Sequence, residues 1–215
     1  MIKANWVKLG VLWLLLSGFQ EVAHAELFNV FSAGDMAIAP DGSVWATDVI
    51  NNRIQHRKAD GSIIKQFGSL GKGAGQFDAP TKIALAEDGS LWIADGKKIS
   101  PSNFGNVNLG NSFYSYRLQH VKAGGTFIFQ MGSEGSNLGQ FYGITDIATA
   151  TDGSIWVADG GNRRLQHFNA DGSLITQFKY EGSLLGQCNC SFNVAPATDG
   201  SVWVADENEG SVRHC

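Results

Sequence analysis

Two sets of side chains able to do chemistry recur along this 215-residue sequence at fixed spacing. Four of the five histidines, His56, His120, His167 and His214, follow Trp45, Trp92, Trp156 and Trp203, three of them by eleven residues. Asp48, Asp95, Asp159 and Asp206 follow the same tryptophans by three. A row of imidazoles suggests a metal, and a row of carboxylates suggests acid–base work. Repetition argues against both. Equivalent residues in stacked sheets stand about 10 Å apart, whereas zinc holds its ligands at about 2 Å. Each histidine is therefore expected to be a packed, hydrogen-bonded ring within its own repeat. A residue present in every repeat builds the repeat. The aspartates are expected to fix the turn that follows them, accepting from its backbone and from Arg53 or Arg164. The tryptophans are expected in the core between repeats.

A third set occupies equivalent positions but changes identity: Asp35, Lys82, Asp146 and Asn193. Asp35 and Asp146 carry the hard oxygen ligands that suit Ca²⁺, although two carboxylates make a thin ligand set and Lys82 competes for them. The other reading is a salt-bridged plug or a polar ligand pocket.

These residues sit in a repeat. Asp-Gly-Ser followed by an aromatic, branched run begins at Asp41, Asp88, Asp152 and Asp199, at spacings of 47, 64 and 47 residues. The long spacing contains a 17-residue insertion between Trp92 and Gln119. Each copy predicts four short strands joined by tight Asp-Gly turns, as in Ser43 to Thr47, Arg53 to Arg57 and Ser62 to Phe67. A four-stranded sheet of this kind is one β-propeller blade, so the fold class is all-β, with about four blades at residues 35–67, 82–131, 145–178 and 192–215. They form either a closed small ring or an open arc of a larger one. The last copy stops inside its third strand, and residues 26–31, which resemble 173–178, are a candidate closing strand. Strand one begins at the axis of such a fold, so the variable third set is expected to line a central channel.

The run Ala158-Asp159 through Asn162-Arg163-Arg164-Leu165-Gln166 resembles the NHL repeat family, as do Asn52-Arg53-Ile54-Gln55 and the linkers Gly75-Gln76-Phe77 and Gly139-Gln140-Phe141. The resemblance implies an NHL-type propeller over nearly all of residues 35–215. Similar propellers include the amidating lyases that hold zinc by histidines at the start of strand one. The matching positions here are Gly34, Thr81, Thr145 and Phe192, and none is histidine. Lactonase-like propellers with channel carboxylates on Ca²⁺ leave only Asp35 and Asp146.

Residues 1–25 read as an export signal: Lys3 and Lys8, an apolar stretch from Leu9 to Phe19, and the small-residue site Ala23-His24-Ala25. That apolar run is shorter than the roughly 20 residues a membrane span requires. A mature chain from residue 26 keeps 14 basic and 19 acidic residues, a balance that implies no nucleic-acid surface. The expected location is periplasmic or extracellular. Of the three cysteines, Cys188 or Cys190 can pair with Cys215 in such a compartment.

The insertion breaks the repeat on the face that collects the connections from strand two to strand three. It mixes amides, glycines and aromatics, a composition suited to recognition. Lys97, Asn103, Phe104, Phe113, Tyr114 and Tyr116, with Tyr142 beside them, form the candidate ligand-binding face. The function expected is a non-catalytic scaffold for a protein, peptide or carbohydrate, with self-association if the ring stays open. The alternative is a propeller hydrolase or lyase with a channel metal.

Overall fold

A computed structural model describes residues 33–99, 112–179, 192–206 and 210–214. The first sheet contains β1 (Ala33–Ile38), β2 (Val44–Asp48), β3 (Arg53–Arg57) and β4 (Ile63–Phe67). The second contains β5 (Lys82–Leu85), β6 (Leu91–Ile99), β7 (Ser112–Val121) and β8 (Phe127–Met131). The third contains β9 (Ile144–Thr149), β10 (Ile155–Asp159), β11 (Arg164–Phe168) and β12 (Leu174–Lys179). The fourth holds three described strands, β13 (Phe192–Pro196), β14 (Val202–Asp206) and β15 (Ser211–His214). Within every sheet the strands are antiparallel and follow chain order, which is the meander of a propeller blade. The register is the same in all four, since Trp45, Trp92, Trp156 and Trp203 each stand opposite the histidine of their own blade.

The Asp-Gly turns explain why the register does not slip. Gly42, Gly89, Gly153 and Gly200 have φ of 81, 80, 82 and 88°, a conformation costly for any residue with a Cβ. The aspartate before each glycine accepts from the backbone N–H of the serine after it, at 2.8–3.0 Å.

The blades succeed one another through their inner strands, β1 beside β5, β5 beside β9 and β9 beside β13. Each joint has its own apolar cluster. Trp45 and Ile54 of blade 1 meet Ile83, Leu91, Ile93 and Val121 of blade 2. Trp92 and Leu118 of blade 2 meet Ile147, Ile155, Val157 and Phe168 of blade 3. Trp156 and Leu165 of blade 3 meet Val194, Val202 and Val204 of blade 4. β13 does not pack beside β1 in turn, so the described blades form an arc. One expectation is corrected here: Trp203 is not core but 47% exposed, because no described strand packs over its ring. The candidate closing strand 26–31 and Cys188, Cys190 and Cys215 lie outside the described residues. Among the described residues no helix is long and apolar enough to cross a membrane.

Candidate functional site

On the face carrying the turns between strands one and two, each blade builds an Asp–Ser–His relay. Ser43 Oγ donates to Asp41 Oδ1 at 2.6 Å and lies 2.7 Å from His56 Nε2. The same contacts join Ser90 to Asp88 and His120, Ser154 to Asp152 and His167, and Ser201 to Asp199 and His214. The imidazoles of His56, His120 and His167 stack on their blade's tryptophan at 3.8, 4.2 and 3.9 Å. These are three residue types of a nucleophilic triad in the wrong order. In a triad the carboxylate holds the histidine, and the histidine takes the serine proton. Here the carboxylate takes that proton, so the ring must donate from Nε2 and the serine is not activated. Burial pushes the pKa of all three histidines down, against the pull of the aspartate in each relay, so the ring stays neutral. A cleft of about 80 Å³ beside the third relay, lined by Asp152, Ser154, His167 and Ser201, is well below the several hundred Å³ of a small-molecule site. The sequence carries the signal for the relay, since every serine precedes its histidine at the same strand register, but only the fold joins the two strands.

The opposite face carries the second periodic set. Fully buried Asp48 accepts from Asn51 Nδ2, Arg53 Nε and Gln55 Nε2. Asp159 accepts from the Tyr142 N–H, Asn162 Nδ2 and Arg164 Nε. The remaining arginine nitrogens clasp the linker that enters the blade. Arg117 donates to the carbonyls of Gly71, Lys72 and Gln76, and Arg164 to those of Ser136, Asn137 and Gln140. Asp95 and Asp159 thus fix more than their own turn, because each orients an arginine that ties down the preceding crossover. The involvement of the linker carbonyls was not foreseen, since nothing in linker composition marks a carbonyl as an acceptor.

Asp35, Lys82, Asp146 and Asn193 all fall on inner strands, and the first three share one electrostatic environment. Burial raises the pKa of Asp35 and Asp146, the positive charge of Lys82 lowers both, and Asp35 adds a further rise to Asp146. The two carboxylates also staple blades together. Asp35 Oδ2 accepts from the N–H of Ile83 at 3.1 Å, and Asp146 Oδ2 from that of Val194 at 2.8 Å. Among the described residues no three histidines, cysteines or carboxylates come close enough to hold a metal ion.

The insertion is not a loop at its root. It lengthens β6 and β7 to nine and ten residues, with Lys97 opposite Tyr114 and Lys98 opposite Phe113. Asn103 and Phe104 lie outside the described residues, as do the side chains of Lys97, Phe113 and Tyr114. The buried Ser115 hydroxyl hydrogen-bonds that of Thr81, anchoring the hairpin to the linker before β5. At its base, the Tyr116 and Tyr142 rings are 6.3 Å apart, with Tyr142 half exposed. Tyr142 is held from below: its carbonyl approaches Gly161 so closely that a Cβ there would lie 1.6 Å from the oxygen.

The NHL repeat model matches residues 141–168, the first three strands of the third blade. No curated protein matches the sequence significantly. Among solved structures, a virginiamycin B lyase from Staphylococcus aureus superposes with a TM-score of 0.54 at 16% identity, covering 84% of this chain and 50% of that one. The WD40 repeats of RRP9 give 0.53 at 13%, covering 90% and 52%. Kuenenia stuttgartiensis hydrazine synthase gives 0.54 at 12%, covering 92% and 53%. The chain thus carries an NHL repeat in its third blade, has a propeller fold, and spans about half the length of these structures.

Proposed function

We propose that this chain is an exported, non-catalytic scaffold that binds a protein, peptide or carbohydrate through the face bearing the lengthened β6–β7 hairpin, Tyr116 and Tyr142. The observation that carries the reading is the division of labour between repeated and unrepeated side chains. The repeated carboxylates, serines and histidines are spent on one another, on arginines and on linkers. The tyrosine pair breaks the period and sits on a braced base. Tyrosine brings large contact area and a polar tip at small entropic cost, which suits recognition.

The channel reading of a metal-dependent hydrolase or lyase draws on Asp35 and Asp146. Both accept backbone hydrogen bonds from the next blade, a structural job that competes with turning toward an ion.

The test is capture of ligands from peptide and glycan arrays by the chain from residue 26 onward. Deleting residues 97–112, or replacing Tyr142 by Ala, is expected to remove the captured ligands while the far-UV spectrum stays unchanged. Capture retained in both variants would refute the reading, and a Ca²⁺-dependent rise in Tm lost in Asp35→Ala and Asp146→Ala would favour the channel instead.

A further inference from the structure

We propose that the inner strands at the joint between blades 2 and 3 bind a small zwitterion, an α-amino acid, its carboxylate held by Lys82 and the backbone N–H of Ile147 and its ammonium by Asp35 and Asp146. Two of the three described joints share one arrangement, and the middle one breaks it. Where blade 1 meets blade 2, the inner-strand carboxylate of Asp35 accepts from the N–H of Ile83, and where blade 3 meets blade 4, that of Asp146 accepts from the N–H of Val194. Each donor lies 48 residues beyond its aspartate. In the middle joint the aspartate position is Lys82, and the matching donor is Ile147, reached by the same interval lengthened by the 17-residue insertion. The strand register agrees. Ile83, Ile147 and Val194 stand opposite Ile93, Val157 and Val204, each the residue that follows its blade's tryptophan. The N–H that receives a carboxylate in the other two joints is thus matched with an ammonium in this one.

An ammonium has three donors and no acceptor, so Lys82 cannot do what Asp35 and Asp146 do. Among the described residues it forms no ion pair and no hydrogen bond. The Ile147 N–H leans on the carboxylate of its own neighbour, Asp146, and that contact is the weakest of the influences on the Asp146 pKa. A ligand carboxylate set between Lys82 and Ile147 supplies the missing acceptor and takes a charge-assisted hydrogen bond from the lysine. A bare anion would also be repelled, because Lys82 lies within electrostatic reach of both Asp35 and Asp146. Each aspartate commits Oδ2 to its backbone staple, and an ionised carboxylate offers about four acceptor sites. An ammonium next to the ligand's carboxylate turns the repulsion into attraction, which selects a zwitterion over either charge alone. Lys82, Asp35 and Asp146 are all half-buried, so the site is reached from solvent and its charges are screened less than on an open surface. This proposal concerns the inner strands and does not depend on the tyrosine face.

The experiment is thermal unfolding of the purified chain with each of the common amino acids, and with acetate and methylammonium as probes of one charge at a time. At about five times its Kd, a bound amino acid should raise Tm by about 2–4 °C, whereas acetate and methylammonium at the same concentration should not. Lys82→Met, which keeps the aliphatic stem, should abolish the rise. Lys82→Asn should abolish it too, and without ligand should melt above Lys82→Met, because its amide oxygen gives the Ile147 N–H an acceptor without adding a third carboxylate. Tyr142→Ala should leave the rise intact. Failure of every amino acid to raise the wild-type Tm would overturn the proposal, as would a rise that survives Lys82→Met. A rise with acetate equal to that with the best amino acid would overturn it by showing a plain anion site. A rise lost in Tyr142→Ala would move the ligand to the tyrosine face, and an unliganded Lys82→Asn no more stable than Lys82→Met would remove the missing acceptor; either result overturns it as well.

Discussion

Blades 3 and 4 are written in nearly the same letters and live in different surroundings. Asp152-Gly-Ser-Ile-Trp-Val-Ala-Asp159 and Asp199-Gly-Ser-Val-Trp-Val-Ala-Asp206 differ at one position. In blade 3 Trp156 is 4% exposed and stacks on His167 with 9° between the rings. In blade 4 Trp203 stands in solvent, and its histidine lies tilted by 32° at 4.4 Å. Strand three diverges further. Arg164, Leu165 and Gln166 of blade 3 become Ser211, Val212 and Arg213, so the arginine that clasps the incoming linker has no counterpart at the same position of blade 4. Ser211 Oγ is buried there without a hydrogen-bond partner. The shared letters set the strand, the turn and the relay. Whether a tryptophan stabilises anything depends on the next blade.

That contrast is tested most severely at the clamp. Arg164→Ala leaves the buried Asp159 carboxylate without its cation and the linker carbonyls of Ser136 and Asn137 without the guanidinium that donates to them, and should cost about 3–5 kcal/mol in urea unfolding. Arg53→Ala in blade 1, where the guanidinium is more exposed and clasps no described linker, should cost clearly less. Gly161→Ala drives a methyl group into the Tyr142 carbonyl, and the shift it forces should cost about 1–3 kcal/mol, measured the same way. Tyr142→Ala, at a half-exposed ring, should change stability by no more than about 0.5 kcal/mol and so separates the binding face from the scaffold.

Acid probes the relays. The folded state depresses the pKa of His56, His120 and His167, while the unfolded chain takes up those protons near pH 6.5. Stability is therefore full above about pH 6.5 and falls as the pH drops through that value toward the folded pKa values. Asp41, Asp88, Asp152 and Asp199 are held below the usual carboxylate range by their serines, so their contribution is present above about pH 4 and is lost below it. The urea midpoint should thus decline in two steps on acidification. His120→Phe, which keeps a ring on Trp92, should flatten the first.

Much of this architecture was legible because the repeat imposes it. Strand order, the Asp-Gly turns and the convergence of Asp35, Lys82 and Asp146 all follow from a constant spacing on a fold with an axis. Less visible was anything that depends on which blade comes next. All four tryptophans read as core, and Trp203 is not, since the letters around it match those around Trp156. The role of Asp35 and Asp146 as staples to Ile83 and Val194 was also hidden, because backbone donors leave no mark in the sequence. The insertion gives no strand signal in its sequence because glycine and asparagine dominate its middle, yet its ends continue the ladder of β6 and β7.

One repeat motif thus buries Trp156 in the interior of the arc and leaves Trp203 of the fourth blade exposed. The most direct measurement is equilibrium unfolding of Trp156→Ala and Trp203→Ala side by side, at a dilution where single copies prevail. The expected loss is about 3–5 kcal/mol for Trp156, the cost of emptying a buried aromatic site, and under half of that for Trp203. Equal losses would contradict it, because they would mean that Trp203 is covered within a single chain.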